Sequence, residues 1–106
     1  MVRVNWTTDA ISDVDGIAEY IAHDSHRNAA AMVVRFLAVD ALLSEHPRMG
    51  KRVPELGLDA IRELIVGSYR VIYVLVSETR IDILAVHHQK RLLPPATIAR
   101  RLRRRT

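Results

Sequence analysis

Glu55, Arg70 and His88 are side chains whose types suit one piece of acid–base chemistry. Cleavage of an RNA phosphodiester needs a base to activate the 2′-hydroxyl, cations to hold the phosphate and an acid for the leaving oxygen. A carboxylate, a guanidinium and an imidazole can fill those roles. Whether they meet is a matter of strand register. The runs Ile61 to Val66 and Tyr69 to Val76 are separated by Gly67-Ser68, a break that favours a tight hairpin, and Ser77-Glu78-Thr79 leads into a third run, Arg80 to His88. With Val66 opposite Tyr69 and Val76 opposite Arg80, Arg70 faces Ile65 and Val86, and His88 lies diagonally beyond Val86. Arg70 and His88 then share a face at a backbone separation of roughly 7–8 Å, close enough to converge on one bound group. A one-residue change in the second turn exchanges His88 for His87, so one histidine meets Arg70 in either register.

A structural reading stands beside the chemical one. An arginine at a strand start can clamp a loop carboxylate such as Glu55, or a backbone carbonyl, and so fix the edge of the sheet. A histidine at a strand end can be a hydrogen-bonded packing residue. His23, His26 and His46 read as surface loop residues, and Trp6 and Tyr73 as core. No histidine pair or carboxylate cluster has ligand spacing, so neither a metal nor a cofactor is expected.

The elements that must position these residues follow from periodicity. Val2 to Trp6 reads as a strand. Thr7-Thr8-Asp9 can cap a helix over about Thr8 to His23, with Ile11, Val14, Ile17 or Ala18 and Ile21 as its apolar stripe. After a short polar break, a second helix is expected from about Arg27 to Glu45, stopped by Pro47 and Gly50. The pair forms an antiparallel helical hairpin. Between Ala29 and Leu43 only Arg35 and Asp40 interrupt an apolar surface. One sheet cannot cover all of it: either the first helix covers the remainder, or an apolar strip is left over, and Val33, Val34, Leu37 and Ala41 are then candidates for contact with another chain. Lys51 to Asp59 reads as a charged loop. Pro94-Pro95 can open a short basic helix or tail. The expected fold class is α+β: an N-terminal strand and a helical hairpin packed on one face of a mostly antiparallel sheet of three to four strands, with the other face open. Residues 1–92 form the main unit, and 93–106 the basic end.

Composition narrows the function classes. A chain of 106 residues is one domain with a modest core. It has no cysteine, hence no disulfide framework or thiolate metal site. No apolar run approaches the roughly 20 residues of a membrane span, and the N-terminus lacks a signal-peptide core. A soluble cytoplasmic protein that does not touch a membrane is expected. The formal net charge is +4, and no carboxylate follows Asp82. Arg100, Arg101, Arg103, Arg104 and Arg105 make the end a cationic pole, either solvated or engaged with nucleic-acid phosphates or an acidic partner.

The segments WTTDAISDVDGIAEYIA, HPRMGKRVPEL, IRELIVGSYRVIYVL and IDILAVHH, in this order of elements, resemble the ParE/RelE superfamily of type II toxin-antitoxin toxins over about Val2 to Arg91. The resemblance implies a small toxin, neutralised in a hetero-oligomer by a cognate antitoxin that wraps its helices and sheet. The antitoxin is expected to be acidic and to cover the second helix. ParE-like members poison DNA gyrase, whereas RelE-like members cut messenger RNA in the ribosome. Some RNA-cleaving branches use a loop glutamate, a strand-opening arginine and a terminal-strand histidine, which Glu55, Arg70 and His88 match in order. Those branches place a tyrosine after the histidine, where this chain has Gln89, and the cationic loop of the RelE branch is reduced here to Lys51 and Arg52. The VPEL and YRVIY forms, with that missing tyrosine, favour the ParE-like, gyrase-binding branch.

Overall fold

Thr7 joins the first strand to the first helix through a single side chain. In the computed structural model, which describes residues 1–105, its hydroxyl donates to the Ile83 carbonyl at 2.7 Å and accepts from the Ala10 amide at 3.2 Å. The first bond ties the end of β1 (Arg3–Trp6) to the sheet, and the second caps α1 (Thr8–Ala22). Ser25 caps α2 (His26–Leu37) in the same way, accepting from the Asn28 amide at 3.1 Å.

The sequence reads one long second helix, but the chain breaks at Ala38 into α2 and α3 (Val39–Glu45). The break has a visible cause in the partners of the two pieces. α2 packs on α1, while α3 is bonded to the N-terminal strand region. The Trp6 indole donates to Asp40 at 2.7 Å, the Ser44 hydroxyl donates to the Val2 carbonyl at 2.7 Å, and the Val2 amide donates to the Ser44 carbonyl at 3.0 Å.

Five strands form one sheet in the order β1-β5-β4-β3-β2, built from β2 (Lys51–Arg52), β3 (Ile61–Val66), β4 (Tyr69–Ser77) and β5 (Arg80–His88). β1 runs parallel to β5, and the other pairs are antiparallel. The strand beyond the expected three or four is β2, which lies in the segment read as a loop. Its Lys51 and Arg52 place charge on an outer edge, where charge discourages pairing with another chain. Gly67, at φ +60°, supplies the left-handed residue of the β3–β4 hairpin.

The register of β4 and β5 departs from the sequence reading in two places. Ser77, and not Val76, faces Arg80, which leaves Val76 as an extra residue on β4 before Leu75 pairs with Ile81. Tyr73 faces Ile83 and Val74 faces Asp82, as expected. Ile72 then faces Ala85, leaving Leu84 as an extra residue in a β-bulge. Beyond the bulge, Arg70 faces His87 and not Val86, and His88 faces Tyr69. Arg70 and His88 therefore lie on opposite faces. The physical reason is the alternation of side chains: one extra residue moves everything after it to the other face.

Both faces of the sheet are covered. On the first, Ala10, Val14, Phe36 and Leu43 of the helices pack against Val71, Tyr73, Ile81 and Ile83. Ala10 takes the place that periodicity assigned to Ile11, whose side chain points outward at 49% exposure. On the second face, α4 (Pro95–Arg103) lays Ile98, with Leu93 before it, over Ile72, Val74 and Leu84. The expectation of an open second face is corrected here. Leu84, on that side by alternation from Ile83, and Ala85, brought there by the bulge, help make the apolar seat on which α4 lies. Among the described residues no helix is long and apolar enough to cross a membrane.

Tyr73 is fully buried, and its phenol donates to the Pro47 carbonyl and accepts from the Gly50 amide, each at 3.0 Å. Burial pushes its pKa above the ordinary tyrosine value. A Cβ at position 50 would stand 2.5 Å from the Glu63 carbonyl oxygen and 2.6 Å from the Tyr73 hydroxyl, so only glycine fits. Tyr73→Phe leaves two buried groups without a partner and is expected to cost about 1–3 kcal/mol. Gly50→Ala should cost at least as much by displacing the same bond. Denaturant midpoints at constant m-value check both.

Candidate functional site

Arg70, the second residue of β4, is only 7% exposed and projects onto the second face beside the apolar seat of α4. An arginine so placed needs partners for its donors, because a buried unpaired charge is strongly destabilising. It has two. Its Nη1 and Nη2 donate to the two oxygens of Glu55, each at 2.8 Å. Its Nε and Nη2 donate to Oε1 of Glu63 at 3.1 and 2.6 Å. Glu55 arrives from the loop after Val53, and Glu63 from the neighbouring β3. Glu63 is itself 4% exposed, with Lys51 Nζ 4.0 Å away.

The electrostatics follow from this double clamp. The guanidinium bound to Glu55 holds that carboxyl below the usual glutamate range, and the two carboxylates raise the arginine further above its own. Neither Glu55 nor Arg70 is left poised to exchange a proton near neutrality. The cleft beside them, about 450 Å³, is lined by Lys51, Pro54, Glu55, Glu63, Arg70 and Gln89, with Ile65 at its side. In it the four nearest charges form two opposite pairs, a weaker trap for phosphate than the cations alone would make.

His87 is the histidine on the Arg70 side, and its ring Nε2 lies 3.1 Å from the Leu92 carbonyl. His88 faces the other way. Its ring packs edge-on against Tyr69 with centroids 5.3 Å apart, and its Nδ1 accepts from the Lys90 amide at 3.1 Å. So Glu55 and Arg70 are together, as the structural reading of these residues supposed, while His88 is held by packing on the opposite face. Glu63 escaped the sequence reading. Its signal was present: a single carboxylate within an apolar strand, two residues from Ile65, which the hairpin sets opposite Arg70.

The arginine pole is largely spent inside the molecule. Arg101 forms a two-point bond with Asp13 at 2.6 and 3.1 Å, Arg104 does the same with Asp9 at 2.7 and 3.1 Å, and Arg105 reaches Asp82 at 3.2 Å. Among the described residues Arg100 and Arg103 make no such pair. On α2 and α3, Val34 is 66% exposed and Leu37 55% exposed, with Ala41 on the same outer side. Val33 is half-buried and packs on the core. No group of three or more ligand side chains among the described residues could hold a metal.

Three comparisons bear on this arrangement. A family model described as the ParE toxin of the type II toxin-antitoxin system, parDE, matches residues 4–93. The chain is 32% identical over 92 residues to the protein named Toxin RelE2 of Caulobacter vibrioides, covering 87% of this chain and 100% of that one. It is also similar in fold to a structure titled as the chromosomal ParDE TA system from P. aeruginosa, with a TM-score of 0.67 and 21% identity over 83% of this chain and 96% of the other.

The clamp has a pH signature. Glu55 is depressed in the folded state, so its contribution is complete at neutral pH and is lost as pH falls below the ordinary value of 4.5 through the lower folded one. Glu55→Gln should therefore lower the melting temperature at pH 7, and the difference from the parent protein should shrink as pH falls below 4.5 through the folded value of Glu55. Glu63→Ala, which strips the more buried partner, should cost about 3–5 kcal/mol and exceed Glu55→Ala. Thermal melts across pH give both results.

Proposed function

The chain belongs to the ParE toxin family of type II toxin-antitoxin systems, and from that footing we propose that it arrests growth by binding DNA gyrase, with no covalent chemistry of its own. The observation that supports a binding mode over message cleavage is the occupied fork of Arg70. Four of its five N–H donors are committed to Glu55 and Glu63. A phosphate would have to displace a carboxylate bound at two points to reach it. His88, the histidine that matches the RNA-cleaving pattern, is on the far side of the sheet against Tyr69. The alternative is a ribosome-dependent endoribonuclease using Glu55, Arg70 and His88, and it would require this pairing to be taken apart. Such a toxin acts in the cytoplasm, where gyrase and its antitoxin reside.

A cognate, acidic antitoxin is proposed to neutralise the toxin by covering the outer side of α2 and α3. Ala30, Val34, Leu37 and Ala41 recur there at helical spacing and are exposed, and a stripe of that kind on a helix is a docking surface for an apolar partner. Val33 contributes from beneath, as packing. Arg100 and Arg103 offer the partner's acidic residues two cations without internal carboxylates.

Purified protein should block gyrase supercoiling and leave ribosome-bound messages intact. Full supercoiling at saturating protein would overturn the gyrase reading, and cleavage lost in an Arg70→Ala, His88→Ala double variant would establish the nuclease in its place. Val34→Asp or Leu37→Asp, which sit on the surface and leave the core untouched, should weaken antitoxin binding by about tenfold or more, since each buries a charge on complex formation. Unchanged affinity in folded variants removes the helix face from the antitoxin interface.

A further inference from the structure

One carboxylate in this protein answers three guanidiniums. Asp59, just before β3, accepts from Arg48 Nη1 at 2.9 Å, from Arg62 Nη2 at 2.8 Å and from Arg52 Nη2 at 3.3 Å. Arg62 alone neutralises it. That side chain is 14% exposed and also donates to the Asp59, Arg48 and Gly50 carbonyls at 3.1, 3.3 and 2.8 Å, so it is fixed as a strut between two loops. Arg48 and Arg52 are surplus, and the corner carries two cations in excess. The surplus has a cost. In the register of β2 on β3, Arg52 stands directly opposite Arg62, and like charges so paired are unfavourable.

The two surplus guanidiniums are well exposed and little used. Each gives one N–H to Asp59, and among the described residues its other four donors meet no protein acceptor. Holding both forks to one carboxylate sets them side by side, so they are ordered before any ligand arrives. Arg48, and after it Arg62, keep Asp59 below the ordinary aspartate range, so it stays ionised and the excess of charge is constant around neutral pH. No exposed aromatic side chain stands at this corner among the described residues. Trp6 is bonded to Asp40, Phe36 and Tyr73 are buried, and Tyr20 and Tyr69 line the groove beside α1, so unpaired bases find no stacking platform here. An extended peptide finds no seat either, because β2 offers only two residues of edge.

We propose that Arg48 and Arg52, backed by Arg62, form a binding site for the phosphate backbone of duplex DNA. The planar forks match the oxygens of a phosphate, and a duplex presents its charges at fixed positions, about one per 1.7 Å of helix axis. Contact with the backbone alone needs neither stacking nor a groove for bases. Under the gyrase reading, this duplex is the one that the enzyme handles. The DNA contact is measured without the enzyme, so either idea can fail alone.

The test follows binding of the full-length protein to a short labelled DNA duplex across a salt series, with no gyrase present. Dissociation constants should fall in about the 1–100 μM range of sequence-independent contacts. Arg48→Gln with Arg52→Gln should weaken binding about tenfold or more and reduce the slope of log affinity against log salt by about 2, with the melting temperature near that of the parent because Arg62 still holds Asp59. Arg48→Gln alone, which leaves β2 untouched, should reduce the slope by about 1. Arg3→Gln with Arg27→Gln removes the same charge from exposed positions elsewhere and should leave the slope as it is. Single-stranded RNA and polyglutamate should bind more weakly than the duplex. The proposal is overturned if the duplex does not bind, if the Arg48 and Arg52 variants keep the parent slope, if the Arg3 and Arg27 variant lowers it as much, or if RNA or polyglutamate binds at least as tightly.

Discussion

A single surplus residue in β5 organises both faces of this protein. Leu84 has no partner on β4, and its bulge slips the register by one, so that Leu84 and Ala85 both join the core beneath α4. The same slip sends His87 to the Arg70 side and His88 toward α1. Without it, Val86 would take the place of Ala85 on the second face and His88 that of His87 on the Arg70 side. The separation of the residues that look catalytic is the consequence of one local irregularity.

Charge is arranged as economically as packing. The carboxylates all precede position 83 and the last arginines all follow position 99, yet the fold brings Asp9, Asp13 and Asp82 to Arg104, Arg101 and Arg105. These pairs differ in worth. Arg104 is well exposed, so its pair with Asp9 contributes little. The Asp13–Arg101 pair is half-buried and also meets backbone groups of the β5 edge, where it stands in for an absent strand. It closes part of that edge against indiscriminate pairing and leaves the part beyond Val86 open.

The Arg70 cluster shows why residue types alone are weak evidence of chemistry. A glutamate, an arginine and a histidine in family order suggest acid–base catalysis, but a catalyst needs groups free to move protons and a vacancy for the reacting atom. Here four of the arginine's five N–H donors are committed to two carboxylates, and the guanidinium holds Glu55 below the usual glutamate range. The cluster is built to fix a loop to a sheet. The gyrase-binding function proposed above loses nothing by this, because rigid loops and a fixed sheet edge preserve the shape presented to a target.

The sequence by itself determined β1, α1 and the order of the three long antiparallel strands, the β3–β4 hairpin, the Glu55–Arg70 pairing as a structural option, and the apolar outer stripe of α2. Each rests on local chemistry: a two-residue turn with glycine, period-2 and helical alternation, and opposite charges near one strand end. The β4–β5 register beyond Ile83 was not legible, because a bulge is set by how β5 packs between α1 and α4 and by no residue of special backbone preference. Glu63 as the second partner of Arg70, the break at Ala38 and the fate of the arginine pole were decided by contacts among segments distant in the chain. Tertiary structure alone settled which histidine faces Arg70, because side-chain direction in a strand depends on counting from the last paired residue, and the count changes where the fold, not the sequence, inserts one.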